Sequence, residues 1–264
     1  MAVLLATGVR LDSGGVPPAE VHPRTAGRAG VRGHRDVSHL PLPEAVLWDM
    51  DGTLVNTEPH WMRAETALAE RHGGTWTEAD GLTIVGTSLP YMAQQLRHRA
   101  GVPGTDDEII ATLLDAVIEH IQEEGVPWRP GVPEMLTALR DAGVPCALVT
   151  MSYAALAHTI ADAAPEGSVR AIVSGDMVCR GKPHPEPYLT AAHWLGVDIR
   201  RCVVFEDSPT GLASAEASGA RVVGVQLFVP LPPAPGRSRL GTVDQVTLDD
   251  LRGIAAGDVV DLLA

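Results

Sequence analysis

Apolar residues along this chain fall into short runs separated by amphipathic stretches, and the order of the two decides the expected fold. Ala45 to Asp49 reads as the first core strand, a continuous apolar run that ends in Asp49 and Asp51 and is followed by Gly52-Thr53. After Glu58-Pro59, the segment His60 to His72 is rich in Ala, Glu and Leu and predicts a helix that Gly73-Gly74 ends. Further helices are predicted at about Leu89 to Arg99 and Asp106 to Glu123, closed by Gly101 and Gly125. Between residues 59 and 128 only Leu82 to Val85 reads as a strand, so a mostly helical insert follows the first strand directly.

From Arg129-Pro130-Gly131 onward the pattern alternates. Helices are expected at Glu134 to Ala142, Tyr153 to Ala163, Pro185 to Leu195 and Pro209 to Ala217. Strands are expected at Cys146 to Thr150, Ala171 to Ser174, Cys202 to Glu206 and Arg221 to Gln226. Such alternation predicts an α/β protein with a doubly wound parallel sheet. The proline-rich run Pro230 to Gly236 is a loop, and residues 245 to 264 are expected to end in a short strand and a helix. Residues 1 to 43 show neither period; Gly and Pro make up 11 of the first 44 residues, with Arg24, Arg28, Arg32 and Arg35 among them, so a flexible leader is expected.

Composition narrows the function. A net charge of −13 argues against a nucleic-acid surface and against docking to anionic membrane. No apolar run approaches the ~18 residues of a membrane span, and the start of the chain lacks the basic region of a signal peptide. Cys146, Cys179 and Cys202 are odd in number and widely spaced, so each reads as a small core residue, without zinc or a disulfide framework. Cytoplasmic localisation and a monomer are expected.

The candidate chemistry lies where strands end. Asp49 and Asp51, at i and i+2 in an extended chain, would lean to one side and reach one substrate atom or one metal together. The second strand ends in Thr150 and the strand at 202 to 206 in Glu206-Asp207-Ser208, with Arg180-Gly181-Lys182-Pro183 between them. In a doubly wound sheet these carboxyl ends share one crevice. Carboxylates from separate strands suit Mg²⁺, and a lysine with a hydroxyl suits a phosphate. Taken alone, Asp49-x-Asp51 could also be a solvated turn or the metal clasp of a glycosyltransferase, and Thr150 could cap the helix that follows. A calcium loop is excluded by Leu54 and His60 at the required Gly and Glu positions.

Together, these four motifs over residues 45 to 227 resemble the haloacid dehalogenase superfamily, in its phosphatase and β-phosphoglucomutase-like branch (subfamily IA). The resemblance implies a Rossmann-like core (residues 44–58 and 129–264) with an inserted helical cap (residues 59–128). It also implies a Mg²⁺-dependent phosphatase acting through an aspartyl-phosphate on a small phosphorylated metabolite, with a sugar phosphate favoured. By the same resemblance Asp49 is the nucleophile and Asp51 the general acid/base, with Gly52 and Thr53 supporting Asp51. Thr150, the Met151 N–H and Lys182 hold the phosphoryl group. Mg²⁺ falls to Asp49, the Asp51 carbonyl, Asp207 and Glu206. His60, Trp61, Thr87 and Ser88 are candidate substrate contacts, with hinges at residues 56–59 and 125–131. Leu89 stands where sugar-phosphate mutases carry an arginine in a segment starting at Gly86, which lowers the mutase alternative. The remaining alternative, a catalytically idle ligand- or partner-binding member, is opposed by the intact Asp49 and Asp51.

Overall fold

The computed structural model describes residues 36–85 and 87–263; most of the expected leader and Gly86 lie outside the described residues. Six strands form one sheet: β1 (Val46–Trp48), β2 (Cys146–Val149), β3 (Val169–Val173), β4 (Val203–Glu206), β5 (Arg221–Val225) and β6 (Arg237–Leu240). Their order is β3-β2-β1-β4-β5-β6 and every pair is parallel, which puts β1 in the middle beside both β2 and β4. The order reverses at β1, the position where open α/β sheets form their crevice.

Both faces of the sheet are covered. Val46, Trp48, Leu148 and Phe205 pack with Leu136 and Leu139 of α5 (Val132–Asp141), Ile160 of α6 (Ala154–Asp162) and Leu251 of α9 (Leu248–Ala256). Leu47, Val149 and Val204 point the other way, onto Tyr188 and Ala191 of α7 (Glu186–Leu195) and Leu212 of α8 (Pro209–Ser218). Burial on two faces explains why β1 and β2 are apolar at every position and β4 at all but its last, Glu206. Trp48 and Phe205 stack across β1 and β4 with ring centroids 4.2 Å apart.

Between β1 and β2 lie four helices: α1 (Glu58–Arg71), α2 (Glu78–Leu82), α3 (Leu89–Ala100) and α4 (Asp106–Glu124). They pack on one another through Leu68, Leu96, Leu113 and Val117, in the same apolar cluster as Trp48. The two linkers that enter and leave this segment pair as a short ribbon. Val55 and Trp128 form an antiparallel bridge, Asn56 N–H donates to the Pro127 carbonyl (2.9 Å) and Arg129 N–H to that of Leu54 (2.9 Å).

Three expectations need correction. Leu82 to Val85 is no strand: it ends α2 and continues as a turn, because Thr77 and Asp80 form a capping box that starts a helix there. The last strand comes earlier than residue 245, as β6, on the sheet edge. Its two arginines hide it from an apolar reading, yet Arg237 pairs with Glu216 and Arg239 with Asp261. Cys146 and Cys202 are buried as expected, but Cys179 is exposed; all three are free thiols. Of residues 36–43, Leu42 packs on the core and the Leu40 carbonyl accepts from Arg252 (2.5 Å). No helix among the described residues is long and apolar enough to cross a membrane.

One buried polar pair within the helical segment yields a stability test. Trp76 Nε1 donates to Glu65 Oε2 at 2.9 Å, and burial pushes the Glu65 carboxyl from its ordinary 4.5 up to about 7. The folded value lies above the unfolded one, so Glu65's contribution is fully present below pH 4.5 and is lost as pH rises through 7. Glu65→Gln keeps an oxygen for the indole and removes the ionisation. Urea unfolding should find the variant close to the wild type at pH 5 and more stable by roughly 1–3 kcal/mol at pH 8. A stability difference that does not change between the two pH values would contradict this account.

Candidate active site

Chain segments leaving β1, β2, β3 and β4 at their carboxyl ends supply the site, Lys182 coming from the one between β3 and α7. Asp49 directly follows β1, its N–H bonded to the Phe205 carbonyl of β4 (3.0 Å). Beyond it the chain turns, with the Leu54 N–H on the Met50 carbonyl (2.9 Å) and Gly52 at φ +91°. This turn overrides the expectation that Asp49 and Asp51 extend side by side. Their carboxylates take different partners, although Asp51 still adds its repulsion to Asp49.

Asp49 Oδ1 accepts from Lys182 Nζ at 2.6 Å. The same ammonium contacts Glu206 Oε1 at 2.6 Å and the Val149 carbonyl at 2.9 Å, so its three protons meet three acceptors. Burial opposes its charge, but Asp49 and Glu206 outweigh that and hold its pKa above the ordinary lysine value. Among 20 basic residues this is the chain's only lysine, the other 19 being arginines. That compositional signal marks Lys182 without any motif: a compact ammonium fits where a planar guanidinium fork does not.

Glu206 is fully buried and both its oxygens are in use. Oε1 also accepts from the Tyr188 hydroxyl (2.7 Å), and Oε2 from the Asp207 N–H (3.1 Å), the Ser208 N–H (3.3 Å) and the Ser208 hydroxyl (3.2 Å). Tyr188 also lies beneath the ammonium, with Nζ 5.1 Å from the ring centroid. Sequence reasoning missed this residue, because a tyrosine inside an apolar helix face reads as core.

Ligand atoms of Asp49, Glu206 and Asp207 lie within 4.8 Å of one another. Burial, then repulsion from Glu206, raises the Asp49 carboxyl to about 7 against the opposing pull of Lys182. Burial, then Asp49 and Glu206, raises Asp207 well above the usual carboxylate range. Asp49 Oδ2 is buried without a hydrogen-bond partner. Three carboxylates against one ammonium leave excess negative charge, and the donors are all hard oxygens. The set therefore fits a divalent cation such as Mg²⁺.

Asp51 stands beside this cluster. Its Oδ1 accepts from the Thr57 hydroxyl (2.5 Å), and its Oδ2 from Ser152 Oγ (2.8 Å) and Thr150 Oγ1 (3.4 Å). The sequence placed Thr57 only in a hinge and gave Ser152 no contact with Asp51; serine and threonine near a turn carry no distinctive signal. Thr53, expected to orient Asp51, has a buried hydroxyl with no hydrogen-bond partner, so Thr57 takes that place. Thr150 does not cap α6: its hydroxyl accepts from the Ser152 N–H (2.9 Å). Met151 contacts the lysine loop, its Sδ accepting from the Lys182 N–H at 3.3 Å.

The four candidate substrate contacts lie in the helical segment, each in a local bond or in the core. His60 Nδ1 meets Arg63 at 2.8 Å, Trp61 is buried in the apolar cluster, Thr87 donates to the Ile84 carbonyl (2.7 Å) and Ser88 caps α3. Leu89 is buried in the apolar cluster.

A family model of haloacid dehalogenase-like hydrolases matches residues 46–225. Hexitol phosphatase A of Escherichia coli is 37% identical over 205 residues, which cover 76% of this chain and 88% of that protein. Protein CbbY of Rhodobacter capsulatus is 34% identical over 191 residues, covering 68% and 84%. The crystal structure of CbbY from Rhodobacter sphaeroides in complex with phosphate is similar at a TM-score of 0.68 and 28% identity, over 75% of this chain and 93% of that one. The chain belongs to the haloacid dehalogenase-like hydrolases, in the phosphatase branch whose members hydrolyse phosphomonoesters.

Two glycines make the cluster possible. A Cβ on Gly52 would overlap the Asp207 carboxylate, and a Cβ on Gly211 would overlap that of Glu206. Gly→Ala within a helix ordinarily stabilises by about 1 kcal/mol. Gly211→Ala in α8 should instead lower both the melting temperature and the activity, by displacing Glu206 from Lys182. A variant as stable and as active as the wild type would refute the close approach.

Proposed function

We propose that this protein is a Mg²⁺-dependent phosphatase of small phosphorylated metabolites, sugar or polyol phosphates above all, working through a phosphoryl group carried on Asp49. The observation that carries this reading is the buried contact of Lys182 with Asp49 and Glu206, with Asp207 alongside and Asp51 next to it. The substrate class is supported by the likeness to hexitol phosphatase A.

The steps follow from the chain's own groups. An Asp49 carboxylate oxygen attacks phosphorus while the ester P–O bond breaks. Asp51, as the carboxylic acid, gives its proton to the departing alcohol oxygen. Lys182 favours the ionised form of Asp49 and offsets charge on the transferring phosphoryl oxygens, which the Thr150 hydroxyl and the Met151 N–H also hold. Asp51, now a carboxylate, takes a proton from a water that attacks phosphorus. The Asp49–phosphate bond breaks, releasing inorganic phosphate and free Asp49. Mg²⁺, held by Asp49, Asp207 and the Asp51 carbonyl with Glu206 behind, would supply positive charge that draws phosphate to this acidic cleft. Glu206, with both oxygens occupied by protein donors, acts through its hold on Lys182 and the Asp207 N–H.

Helices α1 to α4, residues 59–128, act in this reading as the cap that covers the cleft and excludes water. Thr57, on the entry linker, bonds the general acid directly, so cap position and Asp51 orientation are coupled. The mutase alternative needs a grip on a second phosphate, and Leu89, buried, offers none.

Asp49→Asn should abolish phosphate release from a panel of sugar and polyol phosphates while circular dichroism stays unchanged; turnover at the wild-type rate would refute the nucleophile assignment. EDTA should silence the wild type and added Mg²⁺ should restore it. Activity insensitive to the chelator would remove the metal from the mechanism. A sugar 1-phosphate should give free phosphate, and accumulation of its 6-phosphate isomer would favour the mutase.

A further inference from the structure

Arg129 sits at the root of the exit linker, only 5% exposed, and among the described residues no acidic side chain forms an ion pair with it. Instead its guanidinium gathers three main-chain carbonyls. Nη1 donates to Gly52, and Nη2 to Gln226 (3.1 Å) and Gly241 (2.7 Å). These carbonyls belong to the turn after β1, the end of β5 and the end of β6. The Arg129 main chain also bonds Leu54 on the far side of that turn. Burying a guanidinium with only neutral acceptors is costly, and an apolar side chain could fill the space at lower cost. What the apolar side chain could not do is hold the Gly52 carbonyl.

Gly52 is a sensitive place to hold. It follows Asp51, and the space where its side chain would stand is taken by the Asp207 carboxylate. A shift of Gly52 therefore moves the general acid and the acidic cluster together. The charges of Arg129 and Asp207 also attract across this contact.

We infer that Arg129 is a positioning residue of the phosphatase reaction: by clamping the Gly52 carbonyl to the ends of β5 and β6, it fixes the Asp51 turn against Asp207 while the linker ribbon beside it flexes. This inference rests on the phosphatase reading above. Lysine carries the charge, but its single nitrogen cannot stand at both the Nη1 and Nη2 positions from which Arg129 reaches these carbonyls.

The test compares Arg129→Lys and Arg129→Ala with the wild type, using p-nitrophenyl phosphate and a hexitol phosphate with Mg²⁺. The expected result is a kcat lowered at least about tenfold in Arg129→Lys with KM within about threefold, since substrate binding is not what Arg129 serves. Guanidinium ion, well below denaturing concentrations, should restore part of kcat to Arg129→Ala and nothing to Asp51→Asn. An Arg129→Lys enzyme with wild-type kcat overturns the inference and leaves the phosphatase reading standing. So does a folded Arg129→Ala that guanidinium cannot rescue. If Arg129→Ala does not fold, the kcat and KM of Arg129→Lys decide. A wild type that hydrolyses neither ester overturns the phosphatase reading and this inference together.

Discussion

One ammonium group holds the centre of this molecule together. Lys182 Nζ spends its three protons on Asp49, Glu206 and the Val149 carbonyl, at the switch point of the sheet. Breaking such a buried ion pair by removing one partner typically costs about 3–5 kcal/mol, because the charge left behind has nowhere to go. Around Lys182 everything else is arranged to finish the job. Tyr188 and two N–H groups supply the donors that Glu206 still lacks, and Gly52 and Gly211 leave room for the carboxylates. Even so, one positive charge does not balance three negative ones. Asp49 is driven up to about 7 and Asp207 well above the usual carboxylate range, a state that a divalent cation would relieve. A cleft with that surplus, on a protein of net charge −13, can take a phosphate ester only if cations are concentrated at one point.

Asp51, the general acid of the proposed mechanism, is handled separately. Asp51 is held by hydroxyls alone, from the entry linker (Thr57) and from the segment after β2 (Thr150, Ser152). Asp51 accepts only from hydroxyls, whereas Asp49 meets the Lys182 ammonium in a buried cluster. Two aspartates two residues apart thus receive opposite environments, through a turn that ends β1 at Trp48 and sends their side chains to different partners. That turn is pinned from behind by Arg129, which ties the catalytic chain end to the far edge of the sheet.

Much of this was legible in the sequence because the physics is local. Apolar runs ending in polar residues, with helices between them, pointed to a parallel doubly wound sheet, though not to the order of its strands. The central strands β1, β2 and β4 are buried on both faces and so are apolar up to the carboxyl end, where β4 delivers Glu206. What escaped was decided by contacts across the fold. β6 carries arginines that are paired by Glu216 and Asp261 from elsewhere in the chain. The segment at 82 to 85 looked like a strand, but a capping box upstream took it into a helix end. Thr57, Ser152, Tyr188 and Arg129 are ordinary residues in ordinary surroundings until the fold sets them against Asp51, Glu206 and Gly52. Lys182 is the exception, since its rarity in an arginine-using chain was readable from composition alone.

The central claim is that Asp49, paired with Lys182, takes the phosphoryl group onto its own oxygen. Mixing enzyme with a reactive phosphate ester, quenching in acid within milliseconds and mapping the modified peptide by mass spectrometry tests it directly. The account predicts a phosphate on Asp49 that appears before free phosphate and is lost at the turnover rate. Phosphate found on another residue, or turnover with no phosphorylated peptide at any quench time, would contradict it.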